Sequence, residues 1–203
     1  MTFKDPKLKH NYPFPIGFTP RWHKAQDYHV PDARLRNWLL DTGSLTERLQ
    51  AHCRDFQVQV LGQRQAPISL EEIQQLILPG QSYIASEWQV REVILWGDGE
   101  PWVFARSLIP TVLCAAELAN LGNQALGKLI FNDPRFLRQP FEICHITQPK
   151  DRVAALQLNS HQDLWGRRSV FKLDKLSMSV AELFLPQSPA YLQHSVEAPR
   201  CQP

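Results

Sequence analysis

The chain has 203 residues, 43% of them hydrophobic and 21% charged, which excludes a disordered polypeptide and fits one domain with a real core. Its 22 Lys and Arg against 20 Asp and Glu leave a net charge of +2, too small and too mixed along the chain to point to nucleic acid or an anionic membrane. No apolar run reaches a membrane span, the first residues lack a signal peptide's apolar core, and Cys53, Cys114, Cys144 and Cys201 form no Cys-x-x-Cys pair. These features predict a cytoplasmic protein without stable membrane insertion, disulfide framework or zinc site.

Residues 1–31 are expected to form an irregular N-terminal arm, since Tyr12-Pro13-Phe14-Pro15-Ile16 is rich in Pro and aromatics and shows no period. Residues 32–191 read as the folded domain, and 192–203 as a flexible tail. Within the domain, Leu35, Trp38, Leu39 and Leu40 form a short helical face. Ser44-Leu45-Thr46-Glu47 is a capping box, with a hydroxyl for the free amide three residues on and a Glu to reach back, and predicts a helix to about Cys53. Ser69-Leu70-Glu71-Glu72 repeats the signal ahead of Ile73, Leu76 and Ile77.

Phe56, Val58 and Val60 alternate with Gln57 and Gln59, which predicts a strand with one wet face. Tyr83 to Trp96 and Trp102 to Ile109 read as strands joined at Gly97-Asp98-Gly99, where Gly and Asp supply the positive φ of a tight hairpin. Ala115 to Phe131 reads as two short helices broken near Leu121-Gly122-Asn123, and Phe141–Ile146, Ser169–Leu173 and Ser179–Leu185 as three more strands. Strands outnumber helices and most neighbours are hairpin-linked, so the fold class is α+β with one antiparallel sheet.

Several chemistries have no footprint. There is no phosphate-binding G-x-x-x-x-G-K-[ST] loop, no dinucleotide fingerprint, no H-E-x-x-H, no Gly-x-Ser-x-Gly elbow, and the seven His are dispersed. Two charges do stand out. Arg91 alternates in phase with Val93 and Leu95, and Glu182 with Val180 and Phe184. For either residue alone a solvated face or a structural ion pair is the commoner explanation. An unpaired buried charge costs several kcal/mol, so an inward charge persists only when a partner or ligand completes it. An inward Arg and an inward carboxylate can also form the two ends of an aromatic hydroxy-acid site, the Arg forking onto a carboxylate and the Glu accepting from a hydroxyl.

The segment Val90-Arg91-Glu92-Val93-Ile94-Leu95-Trp96-Gly97-Asp98-Gly99-Glu100-Pro101-Trp102 resembles a stretch typical of chorismate–pyruvate lyases, and Ala105-Arg106-Ser107-Leu108-Ile109-Pro110 follows as it does there. Leu164-Trp165-Gly166-Arg167-Arg168-Ser169 and Ala181-Glu182-Leu183-Phe184-Leu185-Pro186-Gln187-Ser188-Pro189 are similar to two further family motifs, with Ser44-Leu45-Thr46 and Leu126-Gly127-Lys128 in order between. Together they span about residues 33–191, and their order is more specific than any one of them.

The resemblance implies a six-stranded antiparallel sheet with helices packed on it, helical flaps over an enclosed ligand pocket, a monomer, and no cofactor. It implies conversion of chorismate to 4-hydroxybenzoate and pyruvate at the entry to ubiquinone biosynthesis. By position, Arg91 binds the ring carboxylate, Glu182 meets the 4-hydroxyl, and Leu45 and Leu126 line the flaps with backbone amides available to the carboxylate. Without the resemblance both Leu read as core residues. Arg106 is a candidate for a second anionic contact or a structural ion pair, while Arg167 and Arg168 read as bracing a turn. Slow release from a closed pocket predicts product inhibition. Three departures are a Leu at position 45, where some members carry Met, an apparent surface insertion at about Thr147–Gln162, and an N-terminal arm longer than the short leader expected of the family. Two alternatives remain open: an aromatic-acid-binding module like the ligand domains of some bacterial regulators, disfavoured by the lack of a helix-turn-helix segment, and a relative acting on isochorismate or yielding 3-hydroxybenzoate.

Overall fold

A computed structural model describes residues 12–17, 19–77, 84, 87–116, 126–127, 130, 133–147, 156 and 162–191. Eight strands are found among them: β1 (His23–Lys24), β2 (Phe56–Arg64), β3 (Trp88–Gly97), β4 (Glu100–Pro110), β5 (Leu137–Arg138), β6 (Glu142–Ile146), β7 (Leu164–Leu173) and β8 (Leu176–Phe184). All pair antiparallel in one sheet ordered β1-β6-β7-β8-β4-β3-β2, with β5 joined to β7. The α+β class with one antiparallel sheet is as expected, but the sheet has eight strands and not six. The additional pairings include the two-residue β1 and β5, which are too short to carry any periodicity. β7 also starts at Leu164, so Arg167 and Arg168 stand mid-strand and brace no turn.

Among the described residues the sheet is accompanied by the α-helices α1 (Ala33–Leu40), α2 (Leu45–Gln50), α3 (Leu70–Ile73) and α4 (Thr111–Ala116). Asp32 caps α1 by accepting from the Leu35 amide at 2.6 Å. At α2 the serine half of the predicted box forms, Ser44 accepting from the Glu47 amide at 3.3 Å. At α3 both halves form, yet the helix is a single turn. Most of the expected helical stretch 115–131, nearly all of the 147–162 insertion and the whole 192–203 tail lie outside the described residues.

The β3–β4 hairpin turns at Asp98 and Gly99, with φ of 51° and 84°. Positive φ at both central positions matches the turn's twist to that of the strands. Asp98 Oδ1 accepts from the Arg54 and Asp55 amides at 2.9 and 3.0 Å, which ties the turn to the start of β2. Past the turn the ladder slips once, from Trp96 opposite Pro101 to Leu95 opposite Val103, leaving Trp102 as the extra residue of a bulge. A second bulge on β2 lies between Val60 and Gly62. These two slips decide which side chains share a face.

The front face carries two apolar clusters at opposite ends. One packs Val93, Val103, Trp165 and Phe184 under Trp38, Leu39 and Leu45 of α1 and α2. The other packs Ile109, Phe171 and Met178 against Leu113, Leu126 and Ile130. Burying each such aliphatic or aromatic side chain stabilises the fold by roughly 1.5–3 kcal/mol.

The back face carries Ile94, Phe104, Leu164 and Leu183, covered in part by Tyr12 and Ile16 of the N-terminal segment. It also holds a buried ion cluster. Arg106 donates to Glu72 at 2.7 Å and to Glu92 at 2.7 Å, and Glu92 also accepts from the amides of Ile16 and Gly17 at 2.7 and 3.0 Å. Arg168 pairs with Glu142 on the same face at 2.6 Å. Gly166 faces Cys144 there, and a Cβ on it would stand 2.9 Å from both Cys144 Sγ and the Glu182 carbonyl oxygen.

Candidate active site

Between the two apolar clusters the front face turns polar. In an unslipped two-residue hairpin Arg106 would pair with Arg91 and share its face. The bulge at Trp102 instead pairs Arg91 with Ser107 and Glu92 with Arg106. Arg106 is therefore on the back, bound to Glu72 and Glu92, and of its two expected roles the structural ion pair is the one found. The β2 bulge has the complementary effect, bringing Gln63 opposite Arg91. Arg91 is 3% exposed and donates from Nη1 to Gln63 Oε1 at 2.7 Å. Burial holds its guanidinium below the ordinary arginine value, partly offset by the nearby Cys114.

Two strands away, Glu182 stands opposite Ala105 on β4 and Arg167 on β7. Arg167, 1% exposed, donates from Nε to Glu182 Oε2 at 2.6 Å and from Nη1 to the carbonyls of Trp38 and Asp41 at 3.1 and 2.8 Å. Arg91 and Glu182 thus share a face but do not pair with each other. Two strand spacings and one pleat put their Cα atoms roughly 12 Å apart. A single ring with para substituents and a hydrogen bond at each end can bridge such a gap.

Ser169 follows Arg167 on the same face, and its hydroxyl, like Arg167 Nη2, is buried with no hydrogen-bond partner among the described residues. Buried polar atoms are rarely left so, and a polar ligand would satisfy them. Arg138 on β5, opposite Phe171, closes the row. Its guanidinium lies 4.4 Å from the Phe141 ring centroid and 5.1 Å from that of Phe171, and Arg167 lies 4.9 Å from Phe141. Burial lowers the Arg138 pKa to about 10, with Glu182 opposing the shift and Arg167 adding to it. The predicted Leu45 and Leu126 are both buried, one in each flanking cluster.

The arrangement is a polar belt between two apolar plates, with guanidiniums at both ends and the Glu182 carboxylate between them. Arg91 and Glu182 were visible as charges in phase with the apolar residues of their strands. Gln63 was hidden by a bulge, Arg167 and Ser169 by a strand that begins five residues before Ser169, and Arg138 by a two-residue strand. Among the described residues no group of three or more His, Cys, Asp or Glu could hold a metal ion, and no helix is long and apolar enough to cross a membrane.

The chain is similar to known proteins over most of its length. Residues 19–196 match the family model described as chorismate lyase. A probable chorismate pyruvate-lyase of Pseudoalteromonas atlantica is 48% identical over 181 residues, covering 89% of this chain and 94% of that one. Another from Shewanella amazonensis is 40% identical over 186 residues, covering 88% and 94%. Among solved structures the fold is similar to the effector domain of PhnF from Mycobacterium smegmatis, with a TM-score of 0.53 at 15% identity over 72% of this chain and 91% of that one. That likeness concerns the fold alone. With the family match running through both plates and the belt, the chain belongs to the chorismate lyase family.

Proposed function

We propose that the protein converts chorismate to 4-hydroxybenzoate and pyruvate, supplying the aromatic ring of ubiquinone. The observation that carries this reading is the belt: Arg91 at one end, the Arg167-held Glu182 carboxylate at the other, and apolar plates between which a ring can lie. Arg91 binds the ring carboxylate by charge-assisted hydrogen bonds, and Glu182 accepts from the 4-hydroxyl. Leu45 and Leu126 belong to the plates that act as flaps over the ring, with their backbone amides turned to the carboxylate.

The reaction is redox-neutral and needs no electron carrier. The ring C3–O bond breaks, its electron pair leaves with the enolpyruvyl oxygen, the hydrogen on C4 departs, and the new C3=C4 bond completes the aromatic ring. The enolpyruvyl methylene gains a proton as pyruvate forms, so the atoms of chorismate are shared between the two products. The protein's task is to hold the reactive conformer and exclude water. The C4 proton passes either to Glu182 or directly to the leaving enolpyruvyl group. Glu182→Gln that lowers kcat by about 10²-fold or more makes Glu182 the base, whereas retained kcat with raised KM leaves it a binding role.

The protein is expected to work as a cytoplasmic monomer without a cofactor, and to be inhibited by its own product. The test is incubation of purified protein with chorismate alone and identification of products by chromatography. Stoichiometric 4-hydroxybenzoate and pyruvate, in progress curves that flatten as product accumulates, are the expected result. Unconsumed chorismate with tight 4-hydroxybenzoate binding would turn the reading into that of a binding module, and 3-hydroxybenzoate would redirect it to a different regiochemistry.

A further inference from the structure

A buried side chain that keeps an unmet hydrogen-bonding atom is uncommon, and β7 carries two of them on the front face, two residues apart. Arg167 is 1% exposed and Ser169 is 3% exposed. Arg167 Nη2 and Ser169 Oγ have no hydrogen-bond partner among the described residues, although the other nitrogens of the same guanidinium are all engaged. Nε donates to Glu182 Oε2 at 2.6 Å, and Nη1 donates to the Trp38 and Asp41 carbonyls at 3.1 and 2.8 Å. The guanidinium is thus pinned on two sides and cannot turn to satisfy Nη2 elsewhere.

The planar fork of arginine decides what Nη2 faces. Nη2 lies on the same edge of the guanidinium as Nε, and the two present parallel N–H bonds there. Nε gives its hydrogen to Glu182 Oε2, so the neighbouring N–H of Nη2 points to the space beside the same carboxylate. An oxygen held at that point stands next to Glu182, within hydrogen-bond reach of it. The carboxylate only accepts and Nη2 only donates, so an atom that satisfies both must accept from one and donate to the other. A hydroxyl does this. An amino group on an aromatic ring does not, because its lone pair is drawn into the ring and it only donates.

We propose that Arg167 Nη2 donates to the oxygen at ring position 4 while Glu182 accepts from it, so that this end of the belt selects a hydroxyl over an amino group. The inference rests on the lyase reading, and it gives Glu182 a partner of opposite polarity on the same ligand atom. Ser169, whose hydroxyl both donates and accepts, adds affinity at this end without choosing between the two groups. A ring of the same shape with a 4-amino group is rejected because its N–H bonds meet a guanidinium that has only N–H bonds to offer.

The test begins with the unaltered full chain and the affinities of three acids: 4-hydroxybenzoate, 4-aminobenzoate and benzoate. If Glu182 alone met the substituent, the amine would donate to it as the hydroxyl does and would bind nearly as well. With Nη2 opposed to it, 4-aminobenzoate should bind at least about 10-fold more weakly than 4-hydroxybenzoate and no better than benzoate. Arg167→Met and Ser169→Ala then separate the two side chains. In Arg167→Met the preference for hydroxyl over amine should fall to within about threefold, even where both acids bind more weakly. Ser169→Ala should weaken both by about 3- to 10-fold and leave their ratio within about twofold of the parent's. A parent that binds 4-hydroxybenzoate and 4-aminobenzoate within about threefold of each other, or a ratio that survives Arg167→Met, overturns the proposal. The first comparison needs no variant and so decides the matter even if Arg167→Met does not fold. A parent that prefers the hydroxyl but leaves chorismate untouched sinks the lyase reading, whereas a parent that consumes chorismate yet binds the amine equally well sinks this inference alone.

Discussion

Replacing Arg106 by Leu tests the assignment of the two faces. Its side chain is 3% exposed, Glu92 is fully buried and Glu72 is one-tenth exposed, so removing the cation strands two carboxylates in a dry site. Breaking a buried pair by deleting one partner costs about 3–5 kcal/mol. Glu92 keeps its bonds from the Ile16 and Gly17 amides, which favours the low end of that range. For a domain of this size each kcal/mol lowers Tm by about 2–4 °C, so the melt should move down by roughly 6–20 °C. The assay is a thermal melt with and without 4-hydroxybenzoate, paired with kinetics well below the transition. KM for chorismate should stay within about twofold, because the belt is on the other side of the sheet. Limited proteolysis should also release the N-terminal segment faster. A Tm within about 2 °C of the parent would refute the argument that the cluster is dry and mutually dependent. An intact Tm with KM raised about tenfold would return Arg106 to the substrate.

Ser169→Ala removes a buried hydroxyl that has no partner among the described residues, so the ligand-free Tm should hold or rise, while 4-hydroxybenzoate binds about 3- to 10-fold more weakly if the hydroxyl meets it. A lowered Tm without ligand would show that the hydroxyl is already bonded. Gly166→Ala should cost about 1–3 kcal/mol in a denaturant melt, since its Cβ would press on Cys144 Sγ and on the Glu182 carbonyl. Adding Cys144→Ala should recover only part of this, because the carbonyl stays, and full recovery would count against a backbone clash. Burial pushes the Cys144 thiol up to about 12, so at about pH 8 it remains protonated and shielded. Mass spectrometry after iodoacetamide treatment of the native protein should find it unlabelled. Labelling as fast as in denatured protein would contradict the buried placement.

Much of this was legible from residues alone, for reasons that can be named. Gly97-Asp98-Gly99 announced its turn because few residues accept positive φ, and Phe56, Val58 and Val60 announced a strand because one side of it is core. Arg91 and Glu182 were legible as violations of that same alternation. What escaped was register. Alternation is read within one strand, whereas the bulges at Leu61 and Trp102 are relations between strands. They moved Arg106 to the back and Gln63 to the front without altering any local pattern. The charged run Arg167-Arg168 disguised a buried strand as a turn, since each Arg is neutralised by a carboxylate distant in sequence, Glu182 for one and Glu142 for the other.

That adjacent pair of arginines has a consequence for how β7 finds its place. A slip by one residue would turn Arg168 to the front and Arg167 to the back, and each face would again receive a guanidinium and offer it an acid. Charge cannot tell the two registers apart. Gly166 can, because the slot opposite Cys144 admits no Cβ, and in either slipped register it would receive Trp165 or Arg167. The glycine thus works as a key in a keyway: it contributes no contact to the site, yet it decides which of two identical side chains holds Glu182.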